Sequence, residues 1–250
     1  MTNSPLYAWA KGQQPLPRRF HGAEGESWSP DANAEEWSVS VALDEVIPLH
    51  EVASARWHSM AETRKLTREF LDKADELIDG LWGGRLDKEE QYLVQEELGE
   101  FPLFCLPIYL VTVGAGLSER VVYVGKTTTS RRFSNGHHVA LKLHHPKYDG
   151  QRKQVYRCSV LFDIHEEYVA LEWIEPEELS VRMLDCIESV LIHALQPDLN
   201  TAKRRKPNIG KPVFIHVQNF AGNDLLDGLM LWHKDREPLS FSPAKNMGAK

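Results

Sequence analysis

An α+β fold, a small antiparallel β-sheet flanked by helices with a helical N-terminal extension and a short C-terminal one, follows from three features of the 250-residue chain. Two runs rich in Val, Ile and Tyr, PIYLVTV at Pro107–Val113 and RVVYVGK at Arg120–Lys126, flank the turn GAGLSE at Gly114–Glu119. Stiff or flat side chains suit a pleated surface and the turn glycines can adopt positive φ, so the pair predicts a β-hairpin. A further run, Gln154–Phe162, sets Val155, Arg157, Ser159 and Leu161 against Tyr156, Cys158, Val160 and Phe162, the alternation of a strand. Leu66, Phe70, Ala74, Leu77 and Leu81 instead recur every three or four residues, which marks one face of an amphipathic helix.

In chain order, residues 1–36 are polar and broken by Pro5, Pro15, Pro17 and Pro30, with Trp9 and Trp28 as their large anchors, so a partly disordered arm is expected. WSVSVALDEVIPL at 37–49 fits a strand or a short helix, and periodicity does not decide between them. The amphipathic helix should begin near Ser54 or Ser59 and end before Gly83-Gly84; a second, Lys88–Leu98, stops at Gly99. A basic helix from about Ser130 to Leu143 separates the hairpin from the strand at 154–162, and Tyr168–Ile174 reads as another strand. Ser180–Leu195 is a helix approached through Pro176, Glu177 and Glu178 and stopped by Pro197. Beyond Lys206 come a strand at Val213–Val217, a short helix within NDLLDGLMLW and a frayed end. These elements divide into an N-terminal arm and helical accessory region (1–100), a central domain (101–206) and a C-terminal extension (207–250).

The net charge is −7, yet the stretch Lys126–Arg157 carries Lys126, Arg131, Arg132, Lys142, Lys147, Arg152, Lys153 and Arg157 against Asp149 alone. Four more cations, Lys203, Arg204, Arg205 and Lys206, follow Asn200. Concentrated positive charge on an acidic chain gives a local phosphate-binding surface, although such runs are commonly just solvated faces. Arg56, Arg64, Lys65 and Arg68 are interleaved with acids and read as scaffold. No apolar run approaches the roughly 20 residues that span a bilayer, and the N-terminus lacks the apolar core of a secretory signal, so no membrane association and a cytoplasmic protein are expected. Cys105, Cys158 and Cys186 are widely spaced with no CxxC pair, which argues for thiols rather than disulfides or structural zinc.

PIY at 107–109 followed by YVG at 123–125 resembles the paired signature of the GIY-YIG nuclease family, with Pro107 in place of the first glycine. TTTSRRFSNGHH after YVGK is similar to the family's helix bearing an essential arginine, which places that role on Arg132, with Arg131 as the one-residue-shifted alternative. LDCIESVLIHALQPDLNT resembles the helix with the family's metal-binding glutamate, here Glu188, and the segment ending in its asparagine, here Asn200. The resemblance covers roughly residues 105–206. It implies a divalent-metal-dependent endonuclease that hydrolyses DNA phosphodiester bonds, restriction-like or defensive, with magnesium or manganese as cofactor. A repair or recombination nuclease, or a catalytically silent nucleic-acid-binding module, is the alternative. An enzyme cutting both strands would commonly pair two active sites, so a homodimer is the assembly to test.

The residues themselves carry this chemistry to different degrees. Glu188 lies between Leu184 and Leu191, beside the inward face of its helix, so it needs a partner: an arginine of the basic helix or a metal ion. A guanidinium such as that of Arg132 offers a fixed fork of donors to a phosphate gaining charge. Tyrosines on strands are ordinarily core residues; in the family, the counterpart of Tyr109 is a candidate to activate water and that of Tyr123 to arrange nucleophile and phosphate. A free phenol has a pKa of about 10, so either needs a nearby positive charge, which Lys126 could supply. Gly125 permits close backbone approach. His137, next to His138, is a candidate proton carrier, whereas His144-His145 lacks ligand spacing for zinc. Asn200 is placed to orient backbone or a tyrosine hydroxyl, and Arg131, Lys142, Lys203, Arg204 and Arg205 to meet phosphates.

Overall fold

The segment whose periodicity fits strand and helix alike is a strand, β1 (Trp37–Pro48), and it lies inside the sheet. A strand covered on both faces needs no alternation, and Val39 through Asp44 are all buried. The computed structural model describes residues 9–13, 15–16, 37–78, 84–99, 105–130, 133, 138–164, 167–207 and 213–233. The hairpin is present as β2 (Ile108–Val113) and β3 (Arg120–Lys126), and β4 (Lys153–Ile164) receives β2 on one edge and β1 on the other. A short β5 (Glu167–Ala170) pairs with the far end of β4, and β6 (Val213–Asn219) and β7 (Met230–His233) complete seven strands. The order is β3-β2-β4-β1-β6-β7, with β5 off this path.

The sheet is mixed rather than small and antiparallel, because β1 and β6 pair in parallel. Strands from all three stretches of the chain share it: β1 precedes residue 100, β2 to β5 lie between, and β6 and β7 follow 207. Helices flank it, so the architecture is α+β. The expected short helix within NDLLDGLMLW does not form: Leu226 (φ 58°) and Gly228 (φ 69°) turn the chain, and Leu231 and His233 are then buried alternately as β7 pairs with β6. The expected strand 168–174 gives way after Ala170 to a 3-10 turn, Leu171–Trp173.

The helices begin where their caps predict. Ser59 accepts from the Glu62 N–H, and the Glu62 carboxylate accepts from the Ser59 N–H, closing a capping box that starts α1 (Met60–Leu77). Asp87 and Glu90 do the same for α2 (Lys88–Leu98), which Gly99 ends at φ 75°. The basic helix is limited among the described residues to α3 (His138–Lys142); Arg131, Arg132 and His137 lie outside them. Helix α4 (Glu177–Leu195) ends as Gln196 turns left-handed at φ 47°.

Two apolar layers cover the hairpin's two faces. Ile108, Leu110, Val124, Tyr156 and Cys158 meet Leu184, Ile187 and Leu191 of α4 on one side. On the other, Tyr109, Val111 and Val155 meet Trp57, Phe133, Val139, Leu143 and Tyr148. A satellite core joins α1 and α2 to Trp9 and Leu16. Cys105, Cys158 and Cys186 are buried free thiols, and burial pushes the first two well up in pKa. Among the described residues no helix is long and apolar enough to cross a membrane.

Candidate functional site

The hairpin register sets Tyr109 opposite Gly125 and Val111 opposite Tyr123. Tyr109 is buried, and its ring lies across Gly125: a Cβ there would run into Tyr109 Cζ and hydroxyl, and would sit 2.7 Å from Tyr123 Cε1. The glycine of the YVG run is therefore required sterically, by the tyrosine of the PIY run. The Tyr109 ring is wedged by Phe133 (centroids 5.0 Å apart, edge-on), Trp57 (6.1 Å, edge-on) and Tyr123 (6.0 Å, tilted). Trp57 is held in turn by Arg157, whose guanidinium lies 4.8 Å from the indole centre and pairs with Glu45 at 2.7 Å.

Lys126 follows Gly125 and so faces the opposite side of the strand, toward α4. Its Nζ donates to Asp185 Oδ1 at 2.7 Å. Asp185 and Glu188 are three residues apart on α4 and share a face. Lys203 Nζ bridges them, 2.7 Å from Asp185 Oδ1 and 2.7 Å from Glu188 Oε2. The Glu188 side chain is only 12% exposed, so this charge is compensated rather than solvated. Burial alone would lower the Lys203 pKa, but hydrogen bonds and charge from the two carboxylates outweigh it and the pKa rises. The sequence expectation that Glu188 needs a partner thus has an answer among the described residues, an ammonium in place of an arginine of the basic helix.

Asn200 is buried at the outer edge of β3, where its amide reads the backbone of one residue twice: Oδ1 accepts from the Val124 N–H at 2.9 Å and Nδ2 donates to the Val124 carbonyl at 2.8 Å. With the Leu199 N–H donating to the Val122 carbonyl at 2.8 Å, the segment after α4 continues the sheet by two residues. Of the two roles open to Asn200, backbone orientation is the one these contacts perform. Asp198 anchors the same segment through Arg120 at 2.8 Å, and that hydrogen bond holds its carboxyl below its ordinary pKa. Arg204 is tied to the C-terminus of α4, donating to the Gln196 carbonyl at 3.3 Å, while Arg205 and Lys142 are exposed.

The structure therefore assembles two groups of the sequence-predicted residues. Tyr109, Tyr123 and Gly125 lie on one face of the β2-β3 hairpin; Lys126, Lys203 and Glu188 gather on the other; Asn200 pins the edge of β3. Arg131, Arg132 and His137 are outside the described residues and are not placed. Sequence reasoning passed over Asp185, although its three-residue spacing from Glu188 on one helix was a usable signal. It also passed over Trp57, a lone aromatic in a loop that periodicity does not reach.

Asp185 and Glu188 direct carboxylate oxygens at one cationic position, which Lys203 Nζ fills. Hard oxygen donors converging on a cation suit magnesium or manganese, so the donor set fits such an ion, with the ammonium as its stand-in. Among the described residues no group of three or more His, Cys, Asp or Glu could hold a metal, so of these residues an ion would take the two carboxylates and complete its shell with other oxygens such as water or phosphate. No protein-family model, curated protein or solved structure significantly matches the chain.

Proposed function

We propose that this chain is a divalent-metal-dependent endonuclease of the GIY-YIG type that hydrolyses DNA phosphodiester bonds, in a restriction-like or defence setting. The observation that carries the reading is the convergence on the end of β3: Tyr109 over Gly125 on one side, and Lys126 linked through Asp185 and Lys203 to Glu188 on the other. Residues up to 94 positions apart in the chain, Tyr109 and Lys203, meet at one strand end, and Tyr109, Gly125 and Glu188 among them are residues that the motif resemblance selects.

In this reading the scissile phosphate lies at the Gly125-Lys126 end of β3, where the backbone carries no side chain on the tyrosine face. Tyr109, fixed by Phe133 and Trp57, holds its oxygen against the Gly125 backbone, where it orients the attacking water and, as the phenolate, takes that water's proton to become the neutral phenol. Tyr123 lines the approach beside it. Lys126, on the opposite face of the strand from the phenols and paired with Asp185, holds the carboxylate cluster rather than supplying the tyrosines with positive field as the sequence suggested, and Arg132 would meet the phosphate oxygens with its guanidinium fork. Glu188, with Asp185, would hold the divalent ion, whose charge opposes that developing on the leaving oxygen. Asn200 fixes β3, and with it the tyrosine hydroxyl, relative to the carboxylate helix.

A second reading is favoured by one contact: Glu188 is already neutralised by Lys203, as a catalytically silent nucleic-acid-binding module would need. Incubation of supercoiled plasmid with magnesium, with EDTA and Glu188→Gln as controls, separates the two. Metal-dependent nicking or discrete fragments that Glu188→Gln abolishes while DNA retention persists supports the nuclease. Retention with no cleavage by the unaltered protein on plasmid, branched and single-stranded DNA would leave the binding module, and full activity in Glu188→Gln would refute the metal assignment.

A further inference from the structure

A cavity of about 540 Å³ opens where the end of β1, helix α3 and the start of β4 meet. It is within the roughly 300–1,000 Å³ range of small-molecule sites. One part of its wall is apolar, made by Pro48, Leu49, Ala140 and Leu143. The rest is cationic or ionisable: Arg152, Lys153, His50 and His144, with the amide of Gln151. No carboxylate is among its described lining residues. On a chain of net charge −7 that is a selective environment for an anion with a flat apolar part. His50 has Glu51 at 3.4 Å, and Gln151 donates to the Lys147 carbonyl at 2.7 Å, whereas Arg152 and Lys153 are in no ion pair among the described residues.

The cavity also has a defined relation to the tyrosines. Lys153, Val155 and Arg157 point to one face of β4, and Val155 packs in the same layer as Tyr109. Arg157 pairs with Tyr109 and Lys153 with Val113. Four residues of strand at about 3.3 Å each put Lys153 roughly 13 Å from the Tyr109 row on the same face. That is about four steps of a duplex rising 3.4 Å per phosphate.

We propose that this cavity binds a nucleoside phosphate, with the base against Leu49, Ala140 and Leu143 and the phosphate on Arg152 and Lys153. Its source is a nucleotide of the DNA strand that runs on from the tyrosines, an assignment that rests on the nuclease reading, or a free nucleotide with the same chemistry. Both sources are probed without metal: anisotropy of a fluorescent single-stranded oligodeoxynucleotide, and saturation-transfer NMR of dAMP. Ala140→Trp fills the cavity and leaves every cation in place; Leu49→Trp fills it from the opposite wall; Arg152→Gln with Lys153→Gln removes the charges and leaves the space. Near-UV circular dichroism verifies that each variant is folded.

The expected result is a loss of affinity of about tenfold or more in the filled and the neutralised variants alike, with the salt slope on the single strand falling by about 1.4 only in the neutralised pair. Loss confined to the oligonucleotide assigns the polynucleotide source, and loss confined to dAMP the free one. Unchanged binding of both probes to the two tryptophan variants would overturn the proposal, even if the neutralised pair binds more weakly, because charge alone would then explain it. Cavity-dependent binding in a protein that cleaves no DNA would remove only the nuclease reading; cleavage with cavity-insensitive binding would remove only this one.

Discussion

Replacing Gly125 with alanine tests the central steric claim, that the glycine of the second motif is required by the tyrosine of the first. No positive φ distinguishes Gly125, so the methyl group itself supplies the strain. Alanine in a strand would ordinarily stabilise by about 0.4–1 kcal/mol through the unfolded chain. Here the added Cβ meets Tyr109 Cζ and hydroxyl and lies 2.7 Å from Tyr123 Cε1. The Tyr109 ring cannot swing away freely, because Phe133 and Trp57 hold it at 5.0 and 6.1 Å between centroids. Overpacking of this kind costs about 1–3 kcal/mol, so net destabilisation of about 1–2 kcal/mol is expected, a fall of roughly 0.5 M in urea midpoint for a slope of about 2–3 kcal/mol/M. The same substitution in a Tyr109→Leu background removes the two closest contacts and leaves the one with Tyr123, so the penalty should be clearly smaller there. Gly125→Ala equal to or more stable than the unaltered protein, or an equal penalty in both backgrounds, would refute the reasoning.

Three further outcomes follow from single contacts. Asn200→Ala leaves both backbone groups of Val124 without their buried partners and should cost about 2–6 kcal/mol by chemical denaturation, at ~1–3 kcal/mol per orphaned group; a loss below 1 kcal/mol would count against the clamp. Lys203→Met removes the ammonium from between Asp185 and Glu188, so manganese, followed by calorimetry or by its paramagnetic resonance, should bind more tightly; unchanged affinity would show that ion and ammonium do not share a position. Burial pushes the Glu172 carboxyl up to about 7 from an ordinary 4.5. The folded state then holds a proton that the unfolded state has released, so folding is increasingly penalised as pH rises from about 4.5 and the penalty is complete above about 7. Glu172→Gln should therefore be more stable than the unaltered protein at pH 8, with the advantage shrinking toward pH 5; an advantage independent of pH would exclude this cause.

Much of the fold was legible where local chemistry decides. The hairpin, the strand at 154–162 and both capping-box helices are set by side-chain periodicity and by groups within three or four residues of one another, as with Ser59 and Glu62. What was not legible depends on partners distant in the chain. β1 is a strand because β4 and β6 bury its two edges, and neither can be inferred from WSVSVALDEVIPL. The segment at 223–232 has apolar spacing that suits a helix, but pairing with β6 selects the extended form once Leu226 and Gly228 have turned the chain.

The candidate site divides along the same line. The motif resemblance selects Tyr109, Tyr123, Gly125, Arg132, Glu188 and Asn200 as a set, with Lys126 next to it in sequence, but it does not say what each touches. The contacts separate them into a steric pair, Tyr109 with Gly125, an ionic chain, Lys126–Asp185–Lys203–Glu188, and a backbone clamp, Asn200 on Val124. All three act on consecutive residues, Val124, Gly125 and Lys126. Displacing this tripeptide by any one of them must be felt by the others: a ring forced off Gly125 shifts Lys126 from Asp185, and a loosened Val124 frees both. If the nuclease reading is right, the glycine and the asparagine should each lower cleavage on substitution, the first at the phosphate end of β3 and the second while touching neither metal nor phosphate, with their effects on stability non-additive because they share one strand.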